Sequence, residues 1–246
     1  MAAPEDYRQR IYSRYASAFQ GSDLQFDPVA AWAWGRAYRH YLRGWLPESP
    51  AAPMLDVACG GGKLLYFYKM LGFTNLTGVD ISSEQVRLAR QVIPEVKEAN
   101  VLDYLDCEKG RFEWISGLDI VEHFHKQEVL RFLDSCNSTL NIGGRLVLQT
   151  PNADSPWGSM YRYGDFTHEI AFNPHVLTRL LELTGFRDIE AREMGPVPIG
   201  HSLTSTCRYA VWQGIRSCLR LWNLSEMGHA GSGVFTRVFL ISGIKR

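Results

Sequence analysis

The sequence predicts an α/β fold with one doubly wound, mostly parallel sheet of seven strands, helices before the sheet and a helical insertion near the C-terminal end. Three observations support this prediction. From Met54 onward, short apolar runs alternate with amphipathic stretches, which is typical of βαβ units. A glycine-rich turn follows the first run. The 246 residues, 46% hydrophobic and 21% charged, are enough for one α/β domain with a large core.

Seven apolar runs are the predicted strands, and amphipathic helices fill the gaps between them. The runs are 54–58, 76–80, 96–99, 112–117, 145–150, 187–194 and 234–244. Two helix starts carry local signals. Ser82, with Gln85 three residues later, has the pattern of a capping box. Asn173 and Pro174 predict an N-cap and a first helical position, and Gly185 predicts the end of that helix.

The N-terminal region is predicted to be helical over residues 6–45. Tyr7, Ile11 and Tyr15 recur at helical spacing, and an aromatic-rich stretch follows them. The proline-containing segment 47–53 ends this region, because proline cannot continue a helix or a central strand.

Charge and cysteine content exclude several classes of partner. Twenty-six basic side chains balance twenty-six acidic ones, so no net charge attracts a nucleic acid backbone. The first six residues lack the basic and apolar regions of a secretory signal, and charged residues interrupt every long apolar stretch. The five cysteines include no CxxC pair, which disfavours zinc and disulfides. We therefore expect a cytoplasmic protein with no nucleic acid partner.

The first two strands and the glycine turn between them predict a site for a nucleotide-like ligand. Asp56 lies near the end of the first strand, residues 60–62 are glycines, and Asp80 ends the second strand. Such loops line the crevice at the carboxyl ends of the strands in an open α/β sheet. A dinucleotide site needs a third small residue for close helix packing, but Lys63 follows the glycines. Because Asp56 would repel a pyrophosphate, a positively charged cofactor is expected.

Residues 56–62 match the motif D-x-G-x-G-x-G, with Ala58 in place of the first glycine. Together with Asp80, this motif resembles the class I S-adenosylmethionine-dependent methyltransferases. The resemblance implies a Rossmann-like fold and S-adenosyl-L-methionine as cofactor. It also implies one methyltransferase domain over 1–246, made of a helical cap (1–50), a cofactor-binding core (54–150) and a substrate side with the insertion and closing strands (151–246).

The resemblance implies roles for individual residues. Asp56 is expected near the methionine amino group, Asp80 on the ribose hydroxyls and Ile81 against the adenine. Asn100 stands where the family places the residue that receives the adenine amino group. Ala58 permits close approach of the ligand if its φ is negative. The expected cofactor-binding residues are Asp56, Ala58, Gly60, Gly62, Asp80, Ile81, Asn100, Val101, Gly117 and Leu118.

The substrate side is expected where the fourth and fifth strands end. Glu122 and His123 follow the fourth strand, and a polar, aromatic loop over 161–169 follows the fifth. The arrangement Gly-Asp-x-Thr-His in this loop resembles methyltransferases of bacterial glycan and antibiotic-sugar biosynthesis. It implies O-methylation of a sugar hydroxyl of a glycan precursor or a glycosylated metabolite. A small-molecule methyltransferase acting on a quinone-like phenol, and a non-catalytic cofactor-binding subunit of a glycan-assembly complex, are the alternatives.

An alcohol acceptor needs a general base, and histidine titrates in the required range without unusual tuning. His168, oriented by Asp165, is the first candidate and His123 the second. In the alternative interpretation, Asp165 and His168 only hold the loop in place. In a further alternative, Asp165, His168 and Glu169 bind a divalent ion, as in some sugar methyltransferases. They do not form an octahedral ligand set by themselves, so the expectation is no metal.

The insertion over 201–233 is predicted to be an amphipathic helix. Apolar residues recur at helical spacing from Leu203 to Trp222, and Arg208, Arg216 and Arg220 share another face. We expect this helix to cover the sheet or to form a homodimer contact. Peripheral binding to the inner face of a membrane is the alternative, since arginine and tryptophan suit a lipid surface.

Overall fold

The computed structural model describes residues 7–12, 25–198 and 202–246. A seven-stranded sheet in the order β3-β2-β1-β4-β5-β7-β6 forms its centre. The strands are β1 Met54–Val57, β2 Leu76–Asp80, β3 Val96–Glu98, β4 Phe112–Leu118, β5 Leu140–Pro151, β6 Phe186–Glu193 and β7 Val238–Lys245. Only β7 runs antiparallel, and it pairs with both β5 and β6. The predicted fold class is confirmed.

Helices cover both faces of the sheet. Those in the described ranges are α1 Tyr7–Tyr12, α2 Pro28–Gly35, α3 Tyr38–Tyr41, α4 Lys63–Met70, α5 Ser83–Ala89, α6 Val101–Cys107, α7 Lys126–Thr139, α8 Ser159–Arg162, α9 Pro174–Leu183 and α10 Leu203–Met227. One apolar cluster joins the sheet to α6, α7 and α9, and a second joins it to α3, α4 and α5. Burial on both faces explains the continuous apolar runs of the central strands.

The position of β1 defines the crevice of the fold. β1 pairs with β2 on one side and with β4 on the other. The chain order therefore reverses at β1, and the loops on its two sides diverge at the carboxyl edge of the sheet. This is where a ligand site is expected in a doubly wound sheet.

The described parts of the N-terminal region, predicted to be helical over 6–45, form three separate short helices. The Asp27 side chain accepts hydrogen bonds from Val29 N and Ala30 N and begins α2, with Pro28 as its first residue. A helix arriving from the N-terminal side would have to pass through Pro28, which lacks the necessary N–H. Tyr15, one residue of the predicted periodicity, lies outside the described ranges.

The two predicted helix starts have different outcomes. Asn173 accepts a hydrogen bond from Val176 N at 2.9 Å, as predicted, and Gly185 has a φ of 90° after α9. Ser82 precedes α5, but its hydroxyl makes no capping bond and is buried without a partner among the described residues. Its backbone N–H instead donates to the carboxylate of Asp80, which holds this turn.

The last strand begins at Val238, four residues later than predicted. Residues 234–236 are buried but lie outside the strand. Two of their carbonyls, those of Val234 and Thr236, accept hydrogen bonds from Asn152 Nδ2 at 2.9 Å each. The periodicity of apolar side chains cannot separate such a buried extended segment from a strand.

Helix α10 does not bury its apolar stripe against the sheet, which is one of the two expected arrangements. Its apolar residues face solvent, with 87% of Leu203, 65% of Val211 and 68% of Trp222 exposed. The face toward the protein is polar and aromatic: Trp212 and Arg216 contact Glu193 of β6 at 3.3 Å and 2.9 Å. An anionic partner at the sheet edge thus decides the orientation. No helix in the described ranges is long and apolar enough to cross a membrane.

Candidate functional site

A cavity of about 1300 Å³ opens at the carboxyl edge of the sheet. A pocket for one small ligand measures roughly 300–1,000 Å³, so this cavity has room for two. We call one part the glycine-loop half; it is lined by Ala58, Gly60, Asp80, Ile81, Asn100, Val101 and Leu118. We call the other the histidine half; it is lined by Glu122, His123, Tyr161, Asp165 and His168.

Asp80 fixes the glycine-loop half. Its Oδ2 accepts a hydrogen bond from Gly60 N, and its Oδ1 accepts one from Ser82 N, each at 2.8 Å. Burial raises the pKa of this carboxyl. A carboxylate has about four acceptor sites, so these bonds leave Asp80 with acceptor capacity for a ligand on the cavity wall.

The turn after β1 has three residues in the left-handed region. Gly60, Gly62 and Ala58 have φ values of 52°, 83° and 51°. The condition of a negative φ, under which Ala58 would permit close approach, is therefore not met, and this residue has a conformation that costs a non-glycine residue about 1–2 kcal/mol. A Cβ on Gly60 would meet no atom closer than 4.0 Å, so this glycine keeps open space in the cavity.

Three of the expected cofactor residues lie behind this wall rather than on it: Asp56, Gly62 and Gly117. A Cβ on Gly62 would lie 3.0 Å from Ala89 Cα, so Gly62 allows the loop to pack on α5. Asp56 is 3% exposed, and its Oδ1 accepts a hydrogen bond from Ser116 Oγ at 2.7 Å. Burial raises the pKa of Asp56 to about 7.

Asn100 and Ile81 both line the glycine-loop half. The Oδ1 of Asn100 also accepts a hydrogen bond from Leu102 N at 2.9 Å and so caps α6. Ile81 is 48% exposed, which is high for an isoleucine at the end of a buried strand. It gives the cavity an apolar surface close in sequence to the carboxylate of Asp80.

Two imidazoles face each other in the histidine half. The rings of His123 and His168 lie 4.7 Å apart, edge to face. His168 Nδ1 lies 2.9 Å from the carbonyl of Tyr161, which can only accept, so this nitrogen carries the proton. The Nε2 of His168 then has the lone pair, and it lies 4.0 Å from Glu122 Oε1.

Asp165 holds the second imidazole through a threonine. It accepts hydrogen bonds from Thr167 N at 2.8 Å and from Thr167 Oγ1 at 2.6 Å. The hydroxyl of Thr167 lies 2.9 Å from His123 Nδ1. Since this hydroxyl donates to Asp165, it accepts from His123. The sequence suggested that Asp165 orients His168, whereas the bond that orients His168 comes from Tyr161. Burial lowers the pKa of His123 to about 4.

Glu122 is a site residue that the sequence analysis named only as the neighbour of His123. It is 1% exposed, and its Oε2 accepts a hydrogen bond from Thr150 Oγ1 at 3.0 Å. Its Oε1 has no hydrogen-bond partner among the described residues. Burial, with Asp119 nearby, raises the pKa of Glu122 well above its usual range. In the sequence, the position of Glu122 next to His123 at the end of a strand is the feature that indicates a site residue.

A hydrogen-bond chain from α3 reaches the same cavity. Tyr38 donates to Gln149 Oε1 at 2.6 Å, and Gln149 Nε2 donates to Asp119 Oδ2 at 2.8 Å. Asp119 has a φ of 53° directly after β4. The sequence analysis missed all three residues, because their contact depends on how α3 lies across the sheet edge.

The N-terminal helix α1 closes the histidine half. Arg8 donates to Glu128 at 2.9 Å and to the carbonyl of His123 at 2.8 Å. Tyr7 donates to Glu169, at the end of the loop that carries His168. A segment distant in sequence thus fixes both sides of this half.

Comparisons with known proteins converge on one family. Residues 32–191 match the family described as "Methyltransferase domain". The sphingolipid C9-methyltransferase B of Emericella nidulans is 26% identical over 180 residues, which are 65% of this chain and 34% of that protein. The ubiquinone biosynthesis O-methyltransferase of Xanthomonas campestris pv. campestris (strain B100) is 32% identical over 109 residues, 42% of this chain and 44% of that protein.

The matches cover about a third to under a half of these relatives' length. A crystal structure of a SAM dependent methyltransferase from Archaeoglobus fulgidus has a TM-score of 0.65 and 21% identity, and the match covers 98% of this chain and 100% of that one. This likeness extends the agreement in fold to nearly the whole chain.

Proposed function

Since this chain belongs to the methyltransferase-domain family, we propose that it transfers the methyl group of S-adenosyl-L-methionine to a hydroxyl of a small-molecule acceptor. One observation carries the proposal: a single cavity joins the glycine loop and Asp80 to the cluster of Glu122, His123 and His168. The enzyme class and the cofactor expected from the sequence are those of this family.

The glycine-loop half fits the cofactor. Seven of the ten expected residues line it: Ala58, Gly60, Asp80, Ile81, Asn100, Val101 and Leu118. The open space at Gly60, the acceptor positions left on Asp80 and the apolar surface of Ile81 suit a ribose and a flat base. When bound, the cofactor supplies a methyl group already activated as a sulfonium. The protein therefore has to hold the acceptor in line and to receive its proton.

The acceptor hydroxyl is proposed to lie against Glu122, His123 and His168. Which group handles its proton stays a prediction, and the sequence names His168 first and His123 second. His168→Ala should lower the transfer rate by about 10² to 10⁴ and leave cofactor affinity nearly unchanged. The control is His175→Ala, since His175 is exposed on α9 outside the cavity. Near-normal turnover of His168→Ala would contradict its role.

The proposed acceptor class is a sugar hydroxyl. The resemblance of the 164–168 loop to sugar methyltransferases supports it, as do the aromatic side chains of Trp34, Tyr38 and Tyr161, which offer flat surfaces to a ring. A phenolic acceptor is the second candidate, because the partial relative from Xanthomonas methylates an oxygen in ubiquinone biosynthesis.

An assay with radiolabelled cofactor separates these candidates. Transfer of label to nucleotide sugars or glycosides supports the first, and transfer to catechols supports the second. If the protein binds the cofactor, loses binding in Asp80→Ala, and labels neither panel, the non-catalytic subunit becomes the better account.

We further propose that the whole chain acts as one methyltransferase unit. The outward apolar face of α10 supports the prediction that this helix contacts a second copy or a membrane surface. Sedimentation in the presence and absence of anionic lipid vesicles distinguishes these two.

A further inference from the structure

The histidine half contains three groups that can share one ligand. Glu122, His123 and His168 each have a metal-ligating atom within 4.8 Å of the others. Two come from the 3-10 turn over 121–123 and one from the loop before α9. Ligand atoms bound to one first-row ion at about 2.1 Å lie at most about 4.2 Å apart, so small side-chain rotations would bring them together.

The surroundings orient both imidazoles as a metal site requires. The Nδ1 of His168 donates to the Tyr161 carbonyl, and the Nδ1 of His123 donates to Thr167, which Asp165 holds. Metal-binding histidines usually donate their second N–H to a carbonyl or through a carboxylate-linked group, which fixes the tautomer. In both rings the lone pair then resides on Nε2.

Glu122 supplies the independent observation. Its Oε1 is buried with no hydrogen-bond partner among the described residues, and it lies 4.0 Å from His168 Nε2. A buried carboxylate oxygen that is left unsatisfied destabilises the fold, unless something binds there. Asp119 and Asp165 add negative charge around it. The unsatisfied oxygen of Glu122 and the charges of the two aspartates favour a cation at this position over an anion or an apolar ligand.

We propose that Glu122, His123 and His168 bind one divalent transition-metal ion in the histidine half, with its remaining positions open to the cavity. Two histidines and one carboxylate form the ligand set typical of catalytic zinc and of iron sites with open positions. The sequence analysis expected no metal because it grouped His168 with Asp165 and Glu169. In the fold, Asp165 lies behind Thr167, and Glu122 stands in its place.

The inference deepens the proposed function and rests on it for one consequence only. An ion at this cluster would bind the acceptor oxygen and lower the pKa of its hydroxyl, and the released proton would pass to water in the open cavity. Both imidazoles would then be ligands, and neither would act alone as the base. The binding site itself can be tested without any acceptor or cofactor.

The experiment uses the full chain, stripped of metal by a chelator and dialysed. Calorimetry with Zn²⁺ should show one ion per chain, and Co²⁺ should give visible absorption bands of a nitrogen and oxygen site. Glu122→Gln, His123→Ala and His168→Ala should each weaken binding by at least tenfold. His175→Ala, a histidine exposed on α9, should bind like the wild type. Thermal melts of the metal-free variants establish that each one folds.

Exposed thiols need separate attention, because Cys107, Cys207 and Cys218 can also bind these ions. Thiolate ligation of Co²⁺ would give an intense near-ultraviolet band, and a wild type with that band as its only signal contradicts the proposal. Binding that survives in His168→Ala and Glu122→Gln also overturns it. If the metal-free protein transfers methyl groups at the full rate and only His168→Ala loses this activity, the metal role is contradicted and the proposed function stands. His168 would then be the base. Absence of cofactor binding would instead refute the proposed function.

Discussion

The buried carboxyl of Asp56 predicts a pH-dependent cost to the fold. Burial raises its pKa from 3.8 to about 7, while the bond from Ser116 Oγ and the charge of Asp80 act on it in opposite directions. In the unfolded chain this group ionises near pH 4. The folded state therefore holds the extra proton, and the stability that this provides is lost as pH rises from about 4 through about 7.

The magnitude follows from the shift. About three pKa units at 1.36 kcal/mol each amount to about 4 kcal/mol between pH 4 and pH 8. Asp56→Asn removes the ionisation and keeps an oxygen for the Ser116 hydroxyl. We expect the free energy of unfolding of the wild type to fall with pH relative to that of the variant, by up to about 4 kcal/mol over this range.

Chemical denaturation at half-unit steps from pH 4.5 to pH 8.5 measures the free energy of unfolding of wild type and Asp56→Asn. The difference between the two profiles isolates Asp56, because the other titrating groups are the same in both proteins. Asp134→Asn is the matched control, because Asp134 is exposed on α7 and should leave the profile unchanged. Parallel profiles of wild type and Asp56→Asn would refute the reasoning.

The same carboxyl predicts the pH dependence of ligand affinity. A cationic cofactor favours the ionised form of Asp56. If binding lowers the pKa by about two units, wild-type affinity should rise about tenfold between pH 6 and pH 8, and that of Asp56→Asn should stay level. Calorimetry at the two pH values measures this, and an equal rise in both proteins would place the cause elsewhere.

Three further predictions address the loop, the ribose site and the outer helix. Asp80→Ala should weaken cofactor binding by roughly 1.5 to 3 kcal/mol in calorimetry. The reason is that the ligand and the backbone N–H groups of Gly60 and Ser82 lose a charged acceptor. Tight NADH binding with no response to the sulfonium ligand would contradict the cofactor assignment. Ala58→Gly should raise the free energy of unfolding by roughly 0.5–1 kcal/mol, because relief of the left-handed strain exceeds the entropy cost of glycine. A destabilised variant would show that the strain is absent. Val211→Asp should change stability by less than about 0.5 kcal/mol while Trp212→Ala costs about 1–2 kcal/mol, because Val211 is exposed whereas Trp212 is partly buried and donates to Glu193. Equal losses would mean that the outer face is covered.

The glycine-loop half was predictable because its determinants are local. Asp56, the glycines and Asp80 stand at the ends of adjacent parallel strands, and the topology alone brings such ends together. The φ of Ala58 could not be predicted, because it depends on how tightly the turn packs. Alanine tolerates several backbone conformations, so the residue type does not reveal which one is adopted.

The sequence indicates helix α10 but leaves open whether its apolar stripe covers the sheet or contacts a second copy. Apolar periodicity identified the helix, and hydrophobic burial would normally turn that stripe inward. However, Glu193 ends β6 at the sheet edge and binds Trp212 and Arg216. The partly buried carboxylate of Glu193, with two good donors, holds this face of the helix against the sheet edge, and no local pattern in the helix carries that information.

The histidine half required a long-range contact that spacing cannot supply. Glu122 and His168 are 46 positions apart in the sequence, and the connection between them includes two helices, a strand and a loop. The carbonyl of Glu122 accepts hydrogen bonds from the backbone N–H groups of Glu169 and Ile170, at 2.8 Å and 3.2 Å. These two bonds fasten the end of the loop to the turn and place His168 beside the carboxyl. Because the contact is made by the backbone, substitution of either side chain should leave the loop attached. Loss of function in such variants would then report on the chemistry of the cluster and not on its assembly.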